Sequence, residues 1–358
     1  MSSRRLWRRV TPLLTAGALA LALTACSSGG DDDTVTTGNA TGGNPTGTLR
    51  LGYFPNLTHA PAAYGIDQGI FAQKLGPGVE LKTATFNSGV QASEALISGA
   101  LDATYIGPNP AVNTFTKSKG EAVRIVSGVT SGGAGLVVKS DITSVEQLRG
   151  RTIATPSLGN TQDVALRYYL KQHGLATDKS GGGDVQIRPQ DNTVTVDAFK
   201  SGAIDGAWVP EPTLSRLISD GGKLLVDEAT EWPGGRFVTT LLLVRTDYLK
   251  SNPEIVRRLV EANAASIDAL NADPVKGRDV TNQGLAKLSG KPLADAVIEP
   301  AWKRLTFTAD PVASSLVASA DHATELGLLP KADLNGIFDL TAVNAVLAAS
   351  GKPSVSAQ

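Results

Sequence analysis

The chain has 358 residues, 41% of them hydrophobic and 19% charged, and its 33 Lys and Arg against 34 Asp and Glu give a formal net charge of −1. Balanced charge without a basic stripe argues against nucleic acid as a partner. Cys26 is the only cysteine, so the folded domain has no disulfide, no cysteine-based metal site and no cysteine nucleophile, and the roughly 310 residues beyond it are enough for two domains of ordinary size.

Arg4, Arg5, Arg8 and Arg9 form a basic n-region, followed by an apolar stretch from Val10 to Leu23 that is short for a membrane span. Leu23-Thr24-Ala25-Cys26 then resembles the bacterial lipobox. Residues 1–25 are expected to be a signal peptide. Lipidated Cys26 is the expected attachment to the outer face of the cell membrane, since two or three acyl chains at about 0.8 kcal/mol per buried CH₂ anchor stably. The Arg4-Arg5 pair leaves open whether export is general or by the twin-arginine route. Residues 26–47 are rich in Ser, Gly, Asp, Thr and Asn and nearly devoid of apolar side chains, so they read as a flexible tether. The four signal arginines have no acidic counterpart before Cys26, and losing them leaves the mature protein near −5. An anionic ligand must therefore be held by local groups.

The first strand is expected at Leu49, Leu51 and Tyr53, which alternate. A polar loop from Phe54 to His59 leads to a helix from Ala60 to about Asp67. A strand over Val79–Phe86, a helix to Ser98 capped by Ser88, a strand over Asp102–Ile106 and a helix opening at Pro108 follow. Ala122–Val129 reads as a strand. Residues 131–135 read as a flexible passage into a second lobe. There, residues 144–150 predict a short helix, Arg151–Thr155 a strand, Gln162–Gln172 a helix, and residues 185–188, 207–209 and 223–226 further strands. Val238–Val244 is a buried strand returning to lobe one. From Pro253 onward the pattern is helical, with helices over 254–272, 292–297, 311–326 and 341–349. The expected organisation is lobe one from 48–135 and 239–358, and lobe two from 136–238.

Two stretches support this division. Ser98-Gly99-Ala100-Leu101-Asp102-Ala103 and Ser201-Gly202-Ala203-Ile204-Asp205-Gly206 each follow a helix-like segment, enter a short buried strand and end at a proline. Thr48–Leu51 and Thr152–Thr155 repeat upstream at almost the same offset. Two copies of strand, polar loop, helix and strand imply two similar α/β lobes with mixed parallel sheets flanked by helices and a ligand cleft between the lobes.

In such sheets, ligands sit at the carboxyl ends of strands, where helix N-termini present free N–H groups to an anion. Five loops qualify: Asn56, Thr58 and His59; Ser88, Gly89 and Gln91; Gly107, Pro108 and Asn109; Ser157, Gly159, Asn160 and Thr161; and Trp208 with Glu211. They offer hydroxyls, amides and glycines but no Lys or Arg. Tyr105 and Trp208 fall at equivalent strand ends and suit a core, though Trp208 beside Pro210 also suits a cleft wall; Phe54, Phe86 and Trp232 are weaker candidates. His59 suits capping or ligand contact better than catalysis, because no acid or nucleophile stands at a recognisable spacing. His173 and His322 look structural. No phosphate loop, nucleophile elbow, metal cluster or cofactor motif is present, so no cofactor or metal is expected.

The run Gly52-Tyr53-Phe54-Pro55-Asn56-Leu57-Thr58-His59-Ala60 resembles the first strand and loop of the periplasmic binding proteins for nitrate, taurine and aliphatic sulfonates. Asn87-Ser88-Gly89, the stretch from Ser98 to Pro108, the run from Glu146 to Ala154 and Trp208-Val209-Pro210-Glu211-Pro212 fit the same family. The resemblance implies a two-lobe type II periplasmic-binding-protein fold. It also implies a monomeric receptor that delivers a small organic anion to an ABC permease and its ATPase. In that family the equivalents of Asn56, Ser88, Gly107, Asn160 and Trp208 lie near the bound anion. An aliphatic sulfonate suits a site of neutral donors; nitrate, bicarbonate, and an amine-bearing or pyrimidine-type solute stay open, the last because Glu211 could accept from an amine. An exported enzyme on the same fold would have only His59 and Glu211 as an acid–base pair.

Overall fold

A computed structural model of the chain describes residues 44–331 and 333–357. The signal segment, Cys26 and most of the expected tether lie outside the described residues.

The chain opens with β1 (Gly47–Tyr53), α1 (Ala60–Asp67), α2 (Ile70–Leu75), β2 (Val79–Thr85), α3 (Gly89–Ile97), β3 (Ala103–Ile106), α4 (Pro108–Lys117) and β4 (Val123–Gly132). It then enters β5 (Ala134–Val138), β6 (Thr152–Thr155), α5 (Thr161–Gln172), β7 (Gln186–Pro189), α6 (Asn192–Lys200), β8 (Gly206–Pro210), α7 (Thr213–Ser219) and β9 (Lys223–Asp227). The last part holds β10 (Val238–Arg245), α8 (Thr246–Ser251), α9 (Pro253–Ala272), α10 (Pro274–Ser289), α11 (Asp295–Lys303), β11 (Leu305–Phe307), α12 (Ala313–Glu325) and α13 (Thr341–Ala349).

Two sheets result, ordered β11-β4-β10-β3-β1-β2 and β7-β6-β8-β5-β9. Apart from the edge strand β11, they have the same plan. A parallel trio (β2, β1, β3 in one; β7, β6, β8 in the other) is followed by one antiparallel strand that arrives from the other sheet, β10 or β5. Helices cover both faces, so central strands such as β3 and β8 are buried throughout and read as continuous apolar runs.

The sequence repeat is matched in both sheets by an aspartate that accepts from a strand N–H and from an arginine in or beside that strand. Gly99 and Gly202 both sit at φ 76°, the left-handed region in which a glycine ends a helix. Asp102 accepts from the Arg50 N–H at 2.8 Å and from its guanidinium at 2.5 Å; Asp205 accepts from the Thr152 N–H at 2.8 Å and from Arg151 at 3.0 Å. The repeated Ser-Gly-Ala-x-Asp stretch is thus scaffold: its carboxylate pins the start of the neighbouring strand.

The passage at 131–135 is tied rather than flexible. Gly132 and Gly133 take positive φ, but the Gly132 N–H donates to the Phe237 carbonyl at 3.1 Å, and the Glu211 N–H donates to that of Gly133 at 2.8 Å. Thr239 Oγ1 donates to the Gly132 carbonyl at 2.6 Å, so the two crossings between the sheets lie side by side. Residues 144–150 hold only a 3-10 turn, Val145–Leu148. The C-terminal part is not wholly helical: β11 pairs antiparallel with β4, and three residues are too few for a periodic signal. Helix α10 lies outside the expected helices because it is polar nearly all round and has little apolar periodicity; Asp273 caps it at Lys276 N (3.1 Å), ahead of Pro274.

Candidate functional site

The carboxyl ends of β1, β2, β3 and β6 converge between the two sheets. Each strand there turns into a helix or 3-10 turn whose first N–H groups have no intrahelical acceptor. Asn56 Oδ1 accepts from Thr58 N at 2.8 Å and from Thr58 Oγ1 at 2.6 Å. Ser88 Oγ accepts from Gln91 N at 3.4 Å, a long cap that leaves the hydroxyl hydrogen available. Asn160 Oδ1 caps α5 at Asp163 N, 2.9 Å. Asp163 in turn accepts from the Gly159 N–H and Thr155 Oγ1, each at 2.8 Å, and from the Arg167 side chain at 2.9 Å, which fixes the 157–160 loop.

Between these loops lies a cavity of about 50 Å³. Of the predicted residues, Asn56, Thr58, His59, Ser88, Gly89, Gly107, Asn160 and Thr161 line it, and they come from both sheets' helices. The lining includes no Asp, Glu, Lys or Arg. His59 supplies no charge either: it is buried, and burial pushes its pKa down to about 3. Its Nδ1 accepts the Phe54 N–H at 3.2 Å, so the neutral ring carries its proton on Nε2 and is a donor there. The ring also stacks on Phe54 with centroids 4.5 Å apart. Two glycines are needed for the closeness of these walls. A Cβ on Gly89 would lie 2.4 Å from Pro110 Cγ, and one on Gly107 would lie 2.8 Å from Thr161 Oγ1, on the opposite wall.

The remaining predicted residues lie elsewhere. Gln91 is exposed and turned back to the Asn87 N–H. Pro108 is buried at the start of α4, while Asn109 bonds Ser319 through both ends of its amide. Ser157 and Gly159 shape the loop behind the cavity without lining it. Trp208 is a correction to the cleft-wall expectation: it is buried in the core of the five-stranded sheet, and its indole donates to Glu228 Oε2 at 2.7 Å. Strand register turned it there, although Pro210 at the end of the same strand does line the cavity. Glu211 does not face the cavity. It is fully buried and accepts from Ser215 N at 3.0 Å, Ser215 Oγ at 2.9 Å and Arg304 at 3.1 Å, tying a loop next to the crossing. Tyr105 bonds Asn263 inside the core at 3.0 Å.

Sequence reasoning missed Asn87, Pro110, Pro156, Gln162, Asn192 and Thr239, which complete the lining. Several are one residue from a predicted one, so the capping signal found the loop but not the side chain. A larger chamber of about 270 Å³ adjoins the cavity and shares Phe54, Asn56, Asn87 and Asn192 with it. A further groove, about 550 Å³, takes its walls from α9, the β11–α12 region and residues 352–356 and none from the five-stranded sheet; two ion pairs, Arg236–Asp310 and Lys352–Asp268, join charges along it. The small cavity is therefore the candidate site: convergent neutral donors, helix N-termini and walls from both sheets suit one small anion.

A family model described as the NMT1-like family matches residues 42–282. The taurine-binding periplasmic protein of Escherichia coli (strain K12) is 27% identical over 283 residues, which are 75% of this chain and 84% of that protein. Among solved structures, the periplasmic nitrate-binding protein NrtA from Synechocystis PCC 6803 superposes with a TM-score of 0.73 at 17% identity, over 87% of this chain and 92% of that one. The alkanesulfonate-binding protein SsuA from Xanthomonas axonopodis pv. citri, bound to MOPS, gives a TM-score of 0.67 at 21% identity, over 81% and 96%. These likenesses agree with the two-sheet α/β periplasmic-binding-protein fold expected from the sequence.

Proposed function

The chain belongs to the NMT1-like family, and from that premise we propose that it is the extracytoplasmic receptor of an ABC importer and binds an aliphatic sulfonate between its two lobes. The observation that carries this is the cavity wall of neutral donors without a charged side chain. A sulfonate presents three oxygens to several N–H and O–H groups, and helix N-termini offset its single charge. Nitrate or bicarbonate would fill the small cavity and leave the adjoining chamber unused, so the chamber favours an organic anion.

On this reading the parts built on the two sheets are the lobes, and the paired crossings at 132–134 and 237–239 are the hinge about which they close on ligand. The protein binds and releases its solute without turnover: the cavity has no acid to partner His59, and Glu211 is engaged elsewhere. Delivery is to the permease and its ATPase, with the receptor a monomer held at the membrane by lipidated Cys26. Membrane fractionation of Cys26→Ala tests the anchor, which the reading requires to be lost.

Calorimetry with alkanesulfonates, taurine and nitrate tests the ligand. Alkanesulfonates should bind, and their affinity should change by less than about threefold between low and high salt because the charge is enclosed. Nitrate binding without sulfonate binding would overturn the assignment, and steep salt dependence would place an unrecognised Lys or Arg against the anion.

A further inference from the structure

The chamber beside the anion cavity is apolar on one side, with Phe54, Phe86 and Leu285 in its wall, and it carries three charged residues, Asp191, Arg216 and Lys291. Among the described residues, Arg216 is unlike the other arginines that are more than half shielded from solvent. Arg124 donates to the Gly120 carbonyl at 2.8 Å, Arg258 to Glu254 at 3.0 Å and Arg304 to Glu211 at 3.1 Å. The Arg216 guanidinium, in the second turn of α7, is half-buried and has no hydrogen bond or ion pair among the described residues. Asp220, one turn further on, is paired instead with Lys200 at 3.2 Å. Burial lowers the pKa of Arg216, the direction expected of a partly desolvated cation, and the Asp220 carboxylate nearby offsets only part of it. Arg216 lines the chamber with five N–H donors and no side-chain acceptor, next to the cavity assigned above to the sulfonate headgroup.

We propose that the ligand carries a second anionic group of the carboxylate class at its far end and that Arg216 receives it, so that the preferred solute is an ω-carboxyalkanesulfonate. This rests on the reading that the sulfonate headgroup occupies the small cavity. The planar guanidinium matches a carboxylate in two-point geometry. Asp191 is the opposing charge in the chamber, and it favours the competing possibility of a terminal amine. Arg216 and Lys291 together outweigh it, which favours the carboxylate.

The test is calorimetry on the full chain with three matched series of two to five methylenes: plain alkanesulfonates, ω-carboxyalkanesulfonates and ω-aminoalkanesulfonates. At the best chain length the carboxylate should bind about tenfold tighter than the plain sulfonate, in line with a charge-assisted bond in a half-exposed setting. In Arg216→Gln the two should converge. In Lys291→Ala, which leaves Arg216 alone against Asp191, the preference should shrink without reversing, because the exposed ammonium contributes less than the half-buried guanidinium. Equal affinities in the unaltered protein, or tightest binding by the amine, would overturn the role of Arg216 while leaving the sulfonate reading intact. Failure of every sulfonate to bind would overturn both. The comparison within the unaltered protein decides the matter even if Arg216→Gln does not fold.

Discussion

Replacing His59 with Gln should remove an acid-induced loss of stability worth about 2 kcal/mol at pH 5. The imidazole is buried against Phe54, and burial holds its pKa at about 3 instead of 6.5. In the unfolded chain it titrates near 6.5. Below that pH the unfolded state gains a proton that the folded state refuses. The contribution is therefore fully present above pH 6.5 and is lost as pH falls towards 3. At about 1.36 kcal/mol per unit, the 1.5 units from pH 6.5 to pH 5 give the stated figure. Urea denaturation of the unaltered protein and His59→Gln at pH 7.5, 6 and 5 measures it as a change in the difference between the two. Burial also lowers the pKa of His322, but that contribution is common to both proteins and cancels. The chain has three histidines, so the His59 ring resonance is identified by its loss in the variant. It should keep its neutral position down to pH 5. A His59 that titrated near 6.5 without ligand would put a cation in the cavity and refute the neutral-donor scheme.

Gly107→Ala places a Cβ 2.8 Å from Thr161 Oγ1 across the cleft, and β-branched Thr161 has little freedom to turn away. It should weaken ligand binding by at least about tenfold; unchanged affinity would mean that the walls do not close this tightly on ligand. Ser88→Ala and Asn160→Ala each remove a cavity-lining polar group and should weaken sulfonate binding roughly ten- to a hundredfold by calorimetry. Asn160→Ala should also lower stability by about 1 kcal/mol through its lost cap. Burial raises the pKa of Glu228 to about 7 despite the bonds from Trp208 and Trp232. The folded state therefore holds a proton that the unfolded state releases, and this contribution is complete below pH 4.5 and lost as pH rises through 7. Glu228→Gln should gain about 3 kcal/mol on the unaltered protein between pH 4.5 and pH 7, and a flat difference profile would show that Glu228 is ionised throughout.

What the sequence determined by itself was local. The two Ser-Gly-Ala-x-Asp stretches located equivalent strands because a helix-ending glycine at positive φ is a short-range requirement, although the partners of their aspartates, Arg50 and Thr152, lie far back along the chain. Asn56, Ser88 and Asn160 were legible as helix starts, and the lack of Lys and Arg near them already pointed to neutral donors. Where a side chain goes once its strand is paired is not local. Trp208 and Pro210 belong to one strand, yet strand register and the covering helix α5 put the indole in the core beside Glu228 and leave the proline at the cavity. Glu211 looked like a ligand contact until Arg304, far along the chain, met it beside the crossing. The chamber was invisible for the same reason. Its wall joins the loop after β1, the starts of α6 and α7, and the polar helix α10, segments that only the packed fold brings together. Capping and turn chemistry are decided within a few residues, whereas burial, pairing and the shape of an empty space are decided by residues that the sequence separates.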